Sequence, residues 1–345
     1  MGLRPFPSET EPMHRDPAVP DFVYDYVNLA SPLLGSEAVA ASDDFFADKA
    51  RILQDQPATF LPGVFDEHGK WMDGWETRRR RGGGNDWLLI RLGVPGVVKG
   101  VDIDTSHFTG NYPPGAMLEG LFSETPPDPA GRWRPLVRTT PLGPSAHHYA
   151  AVSDPEPVNW LKLSIFPDGG VARLRVHGAP VRAWTEAETA GEVELSAARN
   201  GGRIIAYNDA HYGDVLRLLA EGRGTNMGDG WETRRRREPG NDWIIVALAA
   251  PGIVERIEVD TAHFKGNFPD RCSLQAALVE QAAPQALVAQ SMFWPQLLGE
   301  KALEADAIHG FAGADLAALG PVSHVRFNIF PDGGVSRLRL FGRLA

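Results

Sequence analysis

Hydrophobic and polar residues alternate along this chain in short runs, the pattern of β-strands that bury one face. Val101-Asp102-Ile103-Asp104 and Ile257-Glu258-Val259-Asp260 place an aliphatic side chain at every second position. Trp87–Leu92 is apolar except for Arg91, and Trp243–Leu248 is apolar throughout, which is typical of buried strands. Many short strands separated by turn residues predict an all-β fold, either a sandwich or a barrel.

Glycine and proline mark the turns between these runs. Pro95-Gly96 and Pro251-Gly252 predict tight turns after the apolar runs. In each copy a Pro-Asp-Gly-Gly sequence, such as 167–170, stands between two alternating runs and predicts a closing hairpin. Residues 273–290 are rich in helix-forming residues, but Pro284 interrupts them, so we expect a strand there and at 117–121.

The chain contains a long internal repeat. Asp73-Gly-Trp-Glu-Thr-Arg-Arg-Arg-Arg81 recurs letter for letter at 229–237, a spacing of 156, and later blocks follow in the same order. A period this long indicates the duplication of a whole domain. Before the motif the first copy is about ten residues longer, which we interpret as a surface-loop insertion. The predicted organisation is an extended proline-rich arm at 1–28, β-sandwiches at 29–180 and 193–345, and a linker at 181–192.

Composition narrows the class of partner. The net charge of −10 argues against nucleic acid. No run of apolar residues is long enough for a membrane span, so we expect no membrane association. The single cysteine, Cys272, fits a reducing cytoplasm. Edge strands of a sandwich often pair, so a homo-oligomer is possible.

Four motifs carry a family resemblance. They are G-W-E-T-R-R-R-R, N-D-W, D-T-x-H-F-x-G-N-[YF]-P and F-P-D-G-G-V, and each occurs in both copies. Together they resemble the allantoicase family over nearly the whole chain beyond residue 28. The resemblance implies two jelly-roll domains of the galactose-binding-like type. It also implies hydrolysis of allantoate to ureidoglycolate and urea in allantoin and purine degradation.

Such a reaction needs a group that holds the substrate carboxylate. If the arginine run is a strand, alternate side chains share one face, and guanidinium groups bind carboxylates in a bidentate fork. The candidates are Arg78, Arg80, Arg234 and Arg236. The alternative, that these arginines are solvated or pair with Asp and Glu residues, remains open.

The reaction also needs a group that activates water. In Asp104/His107 and Asp260/His263 a carboxylate could orient a histidine that titrates near neutral pH. Such a pair could act on water directly or hold a divalent metal ion, which is the one cofactor we consider. The alternative is that the aspartate caps a turn and the histidine bonds a backbone carbonyl.

An acid must protonate the departing urea. Glu76 and Glu232 each follow a tryptophan that could exclude water and raise the carboxyl pKa, although either could instead pair with a neighbouring arginine. Asn111 and Asn267 could bond a ureido group or simply form a turn.

Two function classes therefore remain. The first is an allantoate hydrolase, with one site in each copy or one site shared between them. The second is a non-catalytic tandem β-sandwich that binds a small anionic or sugar-like ligand through its end loops. The chain lacks a phosphate-binding loop and a nucleophile elbow, which disfavours nucleotide hydrolysis and acyl transfer.

Overall fold

The computed structural model describes residues 16–213, 215–279 and 284–345. Its contacts divide the chain into two compact units, one formed by residues 17–182 and the other containing residues 183–345. Each unit is an antiparallel all-β repeat, so the predicted fold class and the duplication are confirmed. None of the helices among the described residues has the length and apolar character needed to span a bilayer.

The helices and strands of the first repeat are α1 (Asp21–Asp25), β1 (Val27–Asn28), β2 (Glu37–Ala41), β3 (Phe65–Asp66), β4 (Gly69–Lys70), β5 (Trp75–Glu76), β6 (Asp86–Asp104), β7 (Gly115–Leu121), β8 (Arg134–Pro141), β9 (His147–Ala151), β10 (Val158–Phe166), β11 (Gly170–Val171) and β12 (Arg173–Pro180).

Those of the second unit are α2 (Glu186–Ala190), β13 (Val193–Glu194), β14 (Arg203–Tyr207), β15 (Tyr212–Gly213), β16 (Trp231–Glu232), β17 (Asp242–Asp260), β18 (Arg271–Ala277), α3 (Pro284–Ser291), β19 (Gln296–Ala302), β20 (Ile308–Ala312), β21 (Val322–Phe330), β22 (Gly334–Val335) and β23 (Arg337–Leu344). Short 3₁₀ helices occur at 32–34, 49–53, 198–200, 215–219 and 313–315.

One 19-residue strand organises each repeat, β6 in the first and β17 in the second. The first half of β6 pairs with β2 and β10, and its second half pairs with β12 and β9. Leu88 and Ile90 from the first half share one core with Val101 and Ile103 from the second half. The two halves therefore face each other across the core, which gives a jelly-roll sandwich.

The predicted turns at Pro95-Gly96 and Pro251-Gly252 are wrong, because the strand continues through both. Its pairing register shifts on either side of Gly96, with both β10 and β12. A bulge of this kind reverses which residues point inward. Even-numbered residues such as Leu88 and Ile90 face the core before it, and odd-numbered residues such as Val101 and Ile103 face it afterwards.

The predicted closing hairpin is also wrong. β10 and β12 do not pair with each other but lie on either side of β6. Between them, β11 pairs with β5, so that Gly170 lies opposite Glu76 and Val171 opposite Trp75. The Pro-Asp-Gly-Gly segment therefore joins the repeated arginine motif to the sheet.

The strand predicted for residues 273–290 is correct only in its first part. β18 ends at Ala277, and α3 follows from Pro284, whereas β7 confirms the strand at 117–121. Proline is compatible with the first turn of a helix because no intrahelical N–H bond is required there. Leu287 and Val288 of α3 pack against Trp243 and Ile245, so this helix covers a small apolar cluster.

The predicted N-terminal arm is ordered at its C-terminal end. Residues 1–15 lie outside the described part of the chain. Pro20 does not prevent regular structure but stands at the N-cap of α1, and β1 then pairs with β12 through Val27 and Gly178. Similarly, the predicted linker contains α2, which Thr185 and Glu188 begin with a capping box.

Candidate active site

A cleft of about 390 Å³ opens in the first repeat beside β5. This volume lies within the usual range for sites that bind small molecules. The polar side chains that line it are those of His68, Lys70, Glu76, His107, Thr109 and Asn111. Three of these six residues were candidates from the sequence, namely Glu76, His107 and Asn111.

Glu76 is the carboxyl group of this cleft. Its backbone N–H donates to the carbonyl of Ala47, and its half-buried side chain accepts a 2.5 Å hydrogen bond from Nδ2 of Asn111 to Oε1. Burial raises the pKa of Glu76, while the Asn111 hydrogen bond and the positive charge of Lys70 partly oppose the rise. The group can therefore hold a proton at higher pH than an ordinary glutamic acid can.

Asn111 is fixed opposite Glu76 by the glycine segment. The N–H of Gly170 donates to the backbone carbonyl of Asn111 at 2.7 Å. A Cβ atom on Gly170 would lie 2.0 Å from the ring of Phe108, so no larger residue fits between them. Gly170, which was predicted to be a turn residue, thus positions the side chain of Asn111 in the cleft.

The second repeat reproduces this arrangement. Nδ2 of Asn267 donates to Oε1 of Glu232, and the N–H of Gly334 donates to the carbonyl of Asn267 at 2.8 Å. A Cβ atom on Gly334 would lie 2.0 Å from Phe264. The carboxyl–amide pair is therefore a feature of the duplicated domain.

The predicted pairing of Asp104 with His107 is wrong. Oδ1 of Asp104 accepts the N–H of Ser106 and caps the turn. Its Oδ2 lies 3.9 Å from Nε2 of His147 and 3.8 Å from Nη1 of Arg175. Asp104 is 2% exposed and is not among the residues that line the cleft.

His107 instead holds a loop. Its Nε2 bonds the backbone carbonyl of Ala58 at 3.1 Å, which requires the proton on Nε2, and its ring stacks on Phe60. This contact confirms the alternative stated above, that the histidine bonds a backbone carbonyl. His107 nevertheless lines the cleft.

Asp260 and His263 behave in the same way. Oδ1 of Asp260 caps the N–H of Ala262, and its Oδ2 accepts from Nε of Arg223 at 3.2 Å. Nε2 of His263 bonds the carbonyl of Gly224 at 2.8 Å. These contacts separate the second predicted pair as well.

The loop that His107 holds is anchored by a buried ion pair. Nη2 of Arg173 lies 2.7 Å from Oδ2 of Asp73, and the same oxygen accepts the N–H of Thr59, the residue after Ala58. Burial alone would raise the pKa of Asp73, but the hydrogen bonds from Arg173 and Thr59 outweigh it and hold this pKa below its ordinary value. The first residue of the repeated motif is thus an anchor for the wall of the cleft.

The same anchor occurs in the second repeat. Nη2 of Arg337 bonds Oδ1 of Asp229 at 3.0 Å, and Oδ2 of Asp229 accepts the N–H of Thr225, which follows Gly224. Both ion pairs are buried, with Arg173 only 1% exposed and Arg337 only 3% exposed.

The arginine run is not a regular strand, because β5 ends at Glu76. Arg78 bonds Asp43 through both its backbone N–H and its Nε, and Nη2 of Arg80 lies 2.7 Å from Asp86. The equivalent partners in the second repeat are Asp209 for Arg234 and Asp242 for Arg236. All four predicted carboxylate-binding arginines therefore already face a carboxylate of the chain.

The two repeats differ in the segment that precedes the motif. Asp43 and Asp209 are 166 positions apart, whereas Glu76 and Glu232 are 156 apart, so the first repeat holds ten additional residues between them. The additional residues form the β3–β4 hairpin, which places His68 and Lys70 on the cleft. Neither residue was predicted from the sequence, because the insertion was interpreted as an ordinary surface loop. The inequality between the copies was the signal that could have identified them.

A divalent metal was the one cofactor considered from the sequence. Within the part of the chain that the structure describes, no three His, Cys, Asp or Glu side chains are arranged to hold a metal ion. The Asp/His pairs that were expected to bind it have separate partners. The two Asp/His pairs therefore do not form the metal site that was expected of them.

The fold and the cleft together define the class of protein. It is a duplicated jelly-roll protein whose small-molecule site contains a hydrogen-bonded pair of a carboxyl and an amide side chain. A model of the allantoicase repeat matches residues 27–181 and again residues 193–345. The chain belongs to the allantoicase family.

Similar proteins support this membership along the whole chain. A protein of Burkholderia pseudomallei named probable allantoicase 2 is 59% identical over 96% of this chain and 98% of its own length. A probable allantoicase of Ralstonia nicotianae is 56% identical over 95% of this chain and 98% of its own length. The crystal structure of allantoicase from Saccharomyces cerevisiae matches 92% of this chain and 93% of that chain, with 33% identity and a TM-score of 0.78.

The buried anchor leads to a prediction about stability. Replacing Asp73 by Ala leaves the buried Arg173 guanidinium without its carboxylate, and we expect a loss of about 3–5 kcal/mol in the unfolding free energy of the first repeat. Urea titration measures this loss.

The matched control removes an exposed ion pair of the same repeat. Arg91→Ala deletes the contact with Glu37, in which both side chains are at least half exposed, and we expect a change of about 1 kcal/mol or less. Equal losses in the two variants would contradict the assigned role of Asp73.

Proposed function

We propose that this chain hydrolyses allantoate to ureidoglycolate and urea in the cleft of its first repeat. Cleavage of allantoate in purine degradation is the activity that membership of the allantoicase family gives the chain. The observation that carries the assignment to this cleft is the half-buried Glu76 carboxyl group, with its raised pKa and its hydrogen bond from Asn111.

The chemistry needs one proton donor and one proton acceptor. Allantoate has a central carbon that bears a carboxylate, a hydrogen and two ureido groups. Protonation of one ureido nitrogen allows its bond to the central carbon to break, and urea departs. The electron pair of the remaining ureido nitrogen forms a double bond to that carbon, and water then adds to it.

Glu76 can supply both steps. Asn111 donates to Oε1, so Oε2 is the oxygen that carries the acidic proton. In the first step this proton passes to the departing nitrogen. In the second step the resulting carboxylate takes a proton from the attacking water, which restores the acid. One water molecule is consumed, and the carboxyl group returns to its starting state.

The other groups of the cleft position the reactants. The carbonyl oxygen of Asn111 is the atom of its amide that does not face Glu76, and it can accept a ureido N–H. His107 donates its Nε2 proton to Ala58, so its role here is to hold the loop that forms one wall.

The remaining expectations about partners stay predictions. Family membership supports an enzyme over the alternative of a non-catalytic binding module. A homo-oligomer, the lack of a nucleic-acid partner, a possible divalent metal and a cytoplasmic location rest on the sequence arguments alone.

Matched substitutions in the two repeats test the location of the site. Glu76→Gln keeps the acceptor for Asn111 but removes the transferable proton, and we expect kcat for urea release to fall by about 10²–10⁴-fold. Glu232→Gln makes the same change in the second repeat, and we expect kcat to stay close to that of the unmodified chain. A Glu76→Gln enzyme with normal turnover would refute the proposal.

The pH profile tests the protonation state of Glu76. The first step needs the protonated acid, so we expect kcat/KM to decrease as the pH rises through the pKa of Glu76 in the free enzyme. Burial raises this pKa. We therefore expect activity to persist to higher pH than it would with an ordinary glutamic acid. Activity that instead increases with pH across this interval would mean that Glu76 starts the reaction as a base.

A further inference from the structure

We infer that Lys70, carried by the hairpin found in the first repeat, binds the substrate carboxylate and makes the cleft selective for carboxylated ureido compounds. This inference rests on the proposed function of the cleft. A lysine of the insertion thus binds the carboxylate, a role that the sequence predicted for the arginine run.

The hairpin places this lysine at the cleft. β3 and β4 pair through Phe65 with Lys70 and Asp66 with Gly69. The Lys70 ammonium lies 4.5 Å from the centre of the Phe60 ring, and this ring is stacked on His107. The cation is therefore held above the same wall of the cleft that His107 and Glu76 form.

Lys70 is available to a ligand in a way that the arginines are not. Arg78 and Arg80 each pair with an aspartate of the chain. In the described structure the Lys70 ammonium contacts an aromatic face, and no carboxylate of the described residues forms an ion pair with it. Binding an anion at Lys70 thus breaks no existing ion pair, whereas binding at Arg78 or Arg80 would compete with one.

The position of Lys70 also couples recognition to chemistry. In the free enzyme its charge lowers the pKa of Glu76, against the larger effect of burial. A substrate carboxylate bound to Lys70 would neutralise this charge and favour the protonated form of Glu76. The substrate would then promote the protonation state that its own cleavage needs.

The second repeat shows what the hairpin adds. In the first repeat nineteen residues, 54–72, separate the 3₁₀ helix at 49–53 from the repeated motif. In the second repeat only nine residues, 220–228, separate the 3₁₀ helix at 215–219 from the motif. The second repeat keeps the Glu232–Asn267 pair but lacks the segment that corresponds to the hairpin. Recognition of the carboxylate at this position is therefore a property of the first repeat.

The test compares two ligands in a Lys70→Met enzyme, which keeps an unbranched side chain but removes the positive charge. Allantoate carries the carboxylate, and methylenediurea carries two ureido groups but no carboxylate. We expect KM for allantoate to rise by about tenfold to a hundredfold, the usual worth of a hydrogen bond to a charged group, with a much smaller change in kcat. We expect the inhibition constant of methylenediurea to stay unchanged.

The pH profile gives a second readout that a merely structural lysine would not alter. Removing the positive charge raises the pKa of Glu76, so the decline of kcat/KM should shift to higher pH in Lys70→Met. Lys70→Arg should keep much of the affinity for allantoate. Lys265→Met, which removes an exposed lysine of the second repeat, is the control for the change in net charge and should resemble the unmodified chain.

Several outcomes would overturn the inference. Equal weakening of allantoate and methylenediurea would show that Lys70 shapes the hairpin without binding the carboxylate, and an unchanged KM would show that it does neither. The Glu76→Gln enzyme separates this failure from that of the proposed function. If Glu76→Gln is inactive while Lys70→Met has an unchanged KM, the site stands and the role of Lys70 is wrong.

Discussion

The buried ion pair between Asp73 and Arg173 is the contact on which the cleft depends. It joins the start of the repeated motif to the strand that leaves the glycine segment, and it fixes the loop whose Ala58 carbonyl holds His107. Buried ion pairs contribute little net stability compared with apolar residues, but losing one partner is costly. The same pair, Asp229 with Arg337, anchors the second repeat. The anchor is therefore common to both copies.

Duplication followed by divergence accounts for the asymmetry of the chain. Both repeats keep the anchor and the carboxyl–amide pair, since these contacts build the same edge of the same sandwich. The first repeat also carries the β3–β4 hairpin, which places a cation beside a protonatable carboxyl group. A small insertion at the rim of a rigid β-sandwich can change binding while the core stays intact.

Strand periodicity predicted the fold class, and the recurring motifs predicted the duplication. Local patterns gave wrong predictions where tertiary contacts decide the structure. Pro95-Gly96 resembles a turn, yet it lies within a strand. The pairing register shifts on both sides of it, so the strand continues while the set of side chains that face the core changes. For the site, Glu76 and Asn111 were identified individually, whereas their hydrogen bond depends on Gly170 and could not be read from spacing. Asp104 and His107 are close in sequence but bond different partners, because His107 adopts a left-handed backbone conformation. Lys70 could not be predicted as a site residue, because it reaches the cleft only through the folding of the β3–β4 hairpin.

The most direct test of the account is a crystal structure of the Glu76→Gln protein with allantoate bound. We expect allantoate in the cleft of the first repeat, with one ureido group at Asn111, a ureido nitrogen next to the side chain at position 76 and the carboxylate at the Lys70 ammonium. Allantoate bound against Arg78 and Arg80, or in the second repeat alone, would contradict it.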